Sequence, residues 1–387
     1  MSIVSDLVGP LASLLVAVAA LGCLYLLVGC VALSTFGARR RGTICTPVPV
    51  SILKPLHGAE PGLSRRLASF CRQDYAAPVQ VICGVQDPAD SAVAIVRLLA
   101  TSPDAPRFDL MIDARAHGAN PKISNLINML PAAQHGVLVM ADSDIEVGPD
   151  YLALIMTELQ RSGVGAVTCL YHGVPLSGRW SSHAALGINT HFLPNAVTAL
   201  MLRLARPCFG STIAISRNLL SRIGGLPAFA DQLADDYEIG RAVRGAGHDV
   251  AIPTFTIGHA CFHERLRGLL ARELRAARTV RSIAPVGYAG AFLTHPFPLA
   301  LAGALFGGEY ALVVAAAALA CRAALCICAE RAFRLPRQPY WLIPSRDLLS
   351  FGVYIWSFFG MRVQWRGSRY RVGADGSLLS DRREAQA

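Results

Sequence analysis

Charge is scarce in this chain. Only 16 % of its 387 residues are charged and 53 % are hydrophobic, where a soluble domain carries about 25 % charged. That scarcity excludes an ordinary cytosolic enzyme, a disordered chain and a solenoid of polar repeats. No internal repeat or low-complexity stretch is present, and no two of the 11 cysteines have C-x-x-C spacing. A thiolate metal site is therefore not indicated, and the thiols read as small buried hydrophobes in a reducing compartment. Acidic residues are the minority, 26 against 36 lysines and arginines, for a net charge of +10. A balance of this sign fits nucleic acid, anionic lipid or a phosphorylated small molecule.

The apolar excess lies at the two ends. From Leu7 to Ala38 there is no charged residue, which exceeds the roughly 20 residues needed to cross a hydrocarbon core. Asp6 precedes this run and Arg39-Arg40-Arg41 follow it, the reverse of a cleaved signal peptide. The reading is a retained anchor with its arginines in the cytoplasm. Uncharged runs from Ser282 to Gly308 and from Tyr310 to Ala329, the latter broken by Arg322, read as a helical hairpin. Arg322, near the cytoplasmic end, could snorkel. The run from Leu348 to Met361 is short for a crossing and has basic flanks on both sides. A re-entrant or interfacial helix therefore competes with a full span.

Between Thr43 and Pro285 the polarity is normal. Val48–Pro55, Val79–Val85, Phe108–Ile112 and Gly136–Ala141 read as strands, and Leu63–Phe70, Ala92–Ala100 and Lys122–Leu130 as helices. That alternation predicts an α/β domain with a mostly parallel sheet covered on both faces. Ligands of such sheets collect beyond the carboxyl ends of the strands, where Asp87 and Asp142-Ser143-Asp144 stand.

Each candidate has an ordinary alternative. Asp142 and Asp144 could share one hard cation, Mg²⁺ or Mn²⁺, or form an acidic turn. Asp87, before Pro88, could accept from a nucleobase or ribose, or only shape a turn. Asp235-Asp236-Tyr237 could supply a general base with a raised pKa, or an acidic first helical turn. Arg272 and Arg275, continued at Arg278 and Arg281, could clamp a leaving diphosphate or bind anionic headgroups. His191–Phe209 is expected to be amphipathic and could deliver a lipid or serve as a core helix.

Taken in order, Lys54-Pro55, Val85-Gln86-Asp87, Asn120-Pro121-Lys122, Asp142-Ser143-Asp144, Asp235-Asp236-Tyr237 and Arg272-x-x-Arg275 resemble the ceramide glucosyltransferase family, with its bacterial hopanoid-biosynthesis branch. The likeness recurs at Trp365–Arg371. It implies a GT-A-type, Rossmann-like domain over residues 43–285, an anchor over 1–42, and a membrane hairpin with a short apolar helix and basic tail over 286–387. By position it implies Asp236 as catalytic base, Asp87 on uridine, and Asp144 with Asp142 on the metal. Lys122, Asp142, Arg272 and Arg275 would hold the donor. Ala276 stands where the family carries tryptophan.

The implied reaction is inverting transfer from a UDP-sugar to a membrane-lipid hydroxyl at the bacterial cytoplasmic membrane, with no nucleic acid partner. The Asp-Ser-Asp form and short loops lean towards the hopanoid branch, for which the resemblance implies N-acetylglucosamine transfer to a hopanoid polyol. Ceramide glucosylation from UDP-glucose is the alternative. A processive polysaccharide synthase would need more spans, and a transporter would need paired, charge-bearing ones.

Overall fold

The computed structural model describes residues 2–39, 46–101, 107–360, 362–365, 368–372 and 378–380. Arg40 and Arg41 of the expected anchor flank, and Arg366 and Gly367 of the recurrent motif, lie outside them. Two compact units result. A helical unit gathers Met1–Arg39, Ser177–Ala205 and His263–Ser368, and a strand unit gathers Arg40–Leu176, Arg206–Phe262 and Arg369–Ala387. The catalytic segment expected as one stretch thus contributes 177–205 and everything from 263 onward to the helical unit.

The first helix, α1 (Ser2–Gly37), belongs to the helical unit. In the strand unit, β1 (Val50–Pro55), β2 (Val79–Val85), β3 (Arg107–Ile112) and β4 (Val137–Ala141) alternate with α2 (Leu63–Cys71), α3 (Ala92–Ala100) and α4 (Pro121–Met129), close to where the spacing puts them. Then come β5 (Ile145–Glu146), α5 (Tyr151–Leu159), β6 (Val164–Thr168), β7 (Leu170–Ser177), β8 (Thr212–Ser216), α8 (Arg217–Arg222), α9 (Asp235–Gly245), β9 (Asp249–Ala251) and β10 (Thr256–Phe262).

The main sheet has the order β3-β2-β1-β4-β8-β6-β9. β1 runs parallel to β2 and β4, β2 to β3, and β6 to β9. β8 runs antiparallel to both of its neighbours. Six of the seven strands therefore run the same way and β8 alone is reversed, so the sheet is mixed but mostly parallel, as expected.

Successive strand residues serve opposite faces, as a two-residue period requires. Ile52, Val81 and Val139 join Phe70, Val96 and Ile155 in one core. Leu53, Ile82 and Met140 join Ile123, Leu219 and Ile239 in the other. β1 is buried along its whole length because helices cover both sides. β5 pairs with β10 in a small second sheet of order β5-β10-β7, setting Ile145 opposite His259.

In the helical unit follow α6 (Gly178–Gly187), a π-turn (Ile188–Phe192), α7 (Leu193–Met201), α10 (Leu266–Ile283), α11 (Pro285–Gly290), α12 (Pro296–Leu305), α13 (Ala311–Phe333) and α14 (Ile343–Ser357). Gly9–Gly37 and Ala311–Phe333 are long and apolar enough to cross a membrane, with mean hydropathies of 2.7 and 2.3. α1 packs along α7, α12 and α13. At Gly22 a Cβ would lie 2.6 Å from the Leu293 carbonyl, so only glycine permits that approach.

Three expectations change here. The uncharged run from Ser282 to Gly308 is divided among α10, α11, a short 3₁₀ turn at Ala291–Thr294 and α12. Prolines at 285, 296 and 298 remove the donors one long helix would need. The helix expected within His191–Phe209 ends at Met201, and Arg203 turns the chain with φ 57°. Arg322 does not snorkel. It sits mid-way along α13, fully buried, 3.2 Å from the Asp347 carboxylate, donating to the carbonyls of Thr190 at 3.0 Å and Thr294 at 2.5 Å.

Candidate active site

The Asp142-Ser143-Asp144 turn leaves the end of β4 and runs directly into β5 at Ile145. All three of its carbonyls are held. Lys54 Nζ donates to that of Asp142, Arg66 Nε to that of Ser143 at 2.9 Å, and the Ala260 amide to that of Asp144 at 2.8 Å. Lys54 and Arg66 are both buried. Burial lowers the Lys54 ammonium to about 8, and the charge also rests 3.9 Å from the centre of the Phe70 ring. Glu60 braces the turn from the side, accepting from the Ser143 hydroxyl at 3.2 Å and from Arg66 at 2.9 Å. Burial pushes its carboxyl upward, and the neighbouring Asp144 adds to that effect.

A second structure faces this turn. Asn120 caps α4 by accepting from the amides of Lys122 and Ile123, and Pro121 pre-sets the first helical residue. The other end of the Asn120 amide donates to the carbonyl of Gln232 at 2.9 Å and to the Asp235 carboxylate at 3.2 Å. One side chain thus joins the start of α4 to the start of α9. Lys122, in the capped turn, reaches the Asp142 carboxylate at 2.8 Å and that of Asp235 at 3.5 Å. Burial opposes its charge, but Asp142, Asp235 and Asp236 outweigh that and hold the ammonium above its ordinary value. Burial likewise pushes Asp142 up, against the pull of Lys122.

Asp236 opens α9 and accepts from the Gly210 amide at 2.7 Å and the Tyr237 amide at 2.8 Å. Burial, then the adjacent Asp235, raise its carboxyl to about 6, against Lys122 and those two amides. Gly210 lies close against both Lys122 and Asp236. A Cβ there would lie 3.0 Å from Lys122 Nζ and 3.2 Å from the Asp236 carboxylate.

Lys122, Asp142 and the Asp235-Asp236 pair therefore form one cluster, as separate motifs of the sequence. Asp87 follows β2 at the same edge of the sheet, and its carboxylate accepts from the Ala89 amide at 2.8 Å in a local turn. Asp144 points to β10, where His259 Nδ1 lies 3.4 Å from its carboxylate. Arg272 and Arg275 stand on α10, in the helical unit, followed by an exposed Ala276. Sequence reasoning missed Arg66, Glu60, Gly210 and His259. Only Gly210 carried a signal, since a glycine beside Phe209 in an apolar stretch marks a close approach.

Among the described residues no group of three His, Cys, Asp or Glu side chains is placed to hold a metal ion. The Asp144–His259 pair supplies one carboxylate oxygen and one imidazole nitrogen. Divalent cations at phosphate sites take one or two protein ligands and complete their shell with water and phosphate oxygens. The pair fits that pattern.

The sequence profile of glycosyl transferase family 21 matches residues 14–378. The chain belongs to that family. The expected enzyme class, a glycosyltransferase, and the GT-A-like α/β fold with its mixed sheet follow from that membership. Ceramide glucosyltransferase 1 of Caenorhabditis elegans is 25 % identical over 215 residues, covering 53 % of this chain and 44 % of its own. A ceramide glucosyltransferase of Candida albicans is 26 % identical over 146 residues, covering 33 % of this chain and 27 % of its own. The chain thus aligns with less than half the length of these curated relatives. Among solved structures, a mannosyltransferase of Pyrobaculum calidifontis in complex with GDP-Man and Mn²⁺ is similar with a TM-score of 0.49 at 22 % identity, over 89 % of this chain and 99 % of the other.

Proposed function

We propose that this family 21 member transfers a sugar, with inversion, from a UDP-sugar to a hydroxyl of a membrane lipid. The observation that carries the reading is the Asp236 carboxylate, raised to about 6 and clustered with Lys122 and Asp142 beyond the sheet. A carboxylate so placed takes the proton from the acceptor hydroxyl as the oxygen attacks the anomeric carbon. With one base and in-line attack, no covalent sugar–enzyme intermediate forms. Lys122, kept charged by three carboxylates, steadies the donor diphosphate.

Asp144 and His259, with Asp142 beside them, are the residues to hold Mg²⁺ or Mn²⁺. Bound there, the ion offsets the charge of the diphosphate. The roles that the family resemblance gives Asp87 on uridine, and Arg272 and Arg275 on the leaving diphosphate, belong to the same proposal. So does a seat in the bacterial cytoplasmic membrane, supported by the length and apolarity of α1 and α13.

For the acceptor, the resemblance to the hopanoid branch supports N-acetylglucosamine transfer to a hopanoid polyol. Ceramide glucosylation is the second reading, favoured by the named activity of the relatives. Purified protein in detergent, given radiolabelled UDP-sugars and each lipid, tests both. Mass spectrometry of the product distinguishes an added N-acetylhexosamine from a hexose, and a polymeric product would overturn both. Asp144→Asn should weaken Mn²⁺ binding in a direct spin-resonance titration, and an unchanged titration would move the metal elsewhere.

A further inference from the structure

α14 is built inside out. Its only two charged side chains, Arg346 and Asp347, are buried within the helical unit, together with Ser350, Ser357, Ile343, Val353 and Tyr354. The opposite face exposes Trp341 just before the helix, Leu348, Ile355 and Trp356 on it, and Phe359 just after, with Trp341 78 %, Trp356 64 % and Phe359 68 % exposed. These positions recur every three or four residues, completed by Ser345 and Gly352, so they form one uncharged stripe. A helix on a water-facing surface carries the reverse pattern. An apolar outer stripe with every charged side chain turned inward is what a hydrocarbon environment selects.

The neighbouring helix decides how α14 meets that environment. Near the start of α14, Arg346 is gripped by both carboxylate oxygens of Glu273 on α10, at 2.7 and 2.8 Å. Beyond its end, Arg278 and Arg281 of α10 donate to the carbonyls of Phe359 at 2.9 Å and Gly360 at 3.2 Å. The two helices therefore run side by side in the same sense. α10 carries Arg267, Arg272, Arg275, Arg278 and Arg281, about one per turn, and such a helix does not pass through hydrocarbon. Tied to α10 at both ends, α14 is held at the level of those arginines. With 15 residues α14 is also only about 22 Å long, against roughly 30 Å of hydrocarbon.

We infer that α14 lies flat in the bilayer interface, with the Trp341–Leu348–Trp356–Phe359 stripe sunk among the acyl chains of one leaflet and α10 beside it at headgroup level. The stripe would sit about 5–10 Å below the headgroup boundary. The tryptophans at its two ends anchor both at the same depth. This rests on the membrane seat proposed for α1 and α13, and not on the catalytic assignments.

The test uses the full chain reconstituted in vesicles of phosphatidylcholine and phosphatidylglycerol, with bromine placed either near the headgroup end or near the methyl end of the acyl chains. The chain has 4 tryptophans. Variants keeping only Trp341 or only Trp356, and variants whose sole tryptophan comes from L348W or L24W, report depth by fluorescence quenching. Leu24 is an exposed residue of α1 and serves as the deep reference. Positions 341, 348 and 356 should all be quenched more by the shallow bromines, and position 24 more by the deep ones. Deep quenching at 348 between shallow 341 and 356 would mean a crossing and overturn the proposal. Quenching at 24 alone would mean that water or protein covers α14, and would overturn it while leaving the membrane seat intact. Quenching at none of the four would sink both.

Discussion

Two influences of opposite sign meet at Asp236. Burial and the adjacent Asp235 disfavour its charge, whereas Lys122 and the amides of Gly210 and Tyr237 favour it, and the outcome is a carboxyl raised to about 6. A base of that affinity is still ionised at neutral pH yet binds a proton far better than an ordinary aspartate. Transfer should therefore fall as pH drops through about 6, with kcat/KM losing a factor of ten per pH unit below it. Asp236→Asn should lower kcat by about 10²–10⁴-fold, remove that acidic limb from the residual rate, and leave UDP-sugar binding largely unchanged by calorimetry. Near-native turnover in the variant would remove Asp236 from the base role. The sign for stability is the reverse of a salt-bridged carboxylate. Because the folded value lies above the ordinary 3.8, this group favours the fold when protonated, and its contribution is lost as pH rises through about 6.

The Asp142–Asp144 turn is a backbone held from three directions, and two of the holders are buried cations. Removing one tests whether the turn needs them. Lys54→Met keeps the bulk of the side chain and deletes one of two donors to the Asp142 carbonyl, leaving the Ile145 amide at 3.4 Å, a loss of about 1 kcal/mol. The expected result is a lower midpoint in thermal unfolding, together with weaker UDP-sugar binding. A variant that unfolds earlier but binds the donor normally would make Lys54 a packing residue only.

The first half of the strand unit was legible because β1 to β4 are short β-branched runs separated by helical spacing, and because acidic residues stand directly after two of them. The reversed β8 was not, since Thr212–Ser216 looks the same whichever way it runs, and direction depends on the route taken by 177–205. The metal candidate was half legible. Asp144 sits in a recognisable triplet, while His259 is a lone histidine in an apolar strand, placed beside it only by the pairing of β10 with β5. Arg322 was misjudged for a related reason. Hydropathy treats a charge in an apolar run as something to expel, but Asp347 and two backbone carbonyls satisfy it from elements far along the chain.

At the scale of the whole molecule, neither unit is a continuous stretch of chain, and the division at residues 42 and 285 that composition suggests cuts through the helical one. Residues 43–285 retain α6, α7 and α10 but lose what these helices pack on. Leu193 and Val197 of α7 are buried, and α7 packs on α1. Leu186 of α6 packs against Leu342 and Ile343, and Glu273 of α10 loses its bidentate partner Arg346. Each uncovered apolar side chain forfeits about 1.5–3 kcal/mol of burial, and the polar pair leaves a carboxylate unmatched. The segment 43–285 produced alone should therefore aggregate, or bind a hydrophobic dye strongly in detergent-free buffer, while the full chain in detergent elutes as one species. If 43–285 instead proved monodisperse and unfolded cooperatively, the buried faces of α6 and α7 would not be holding these segments in the helical unit. The composition boundary would then mark a true domain.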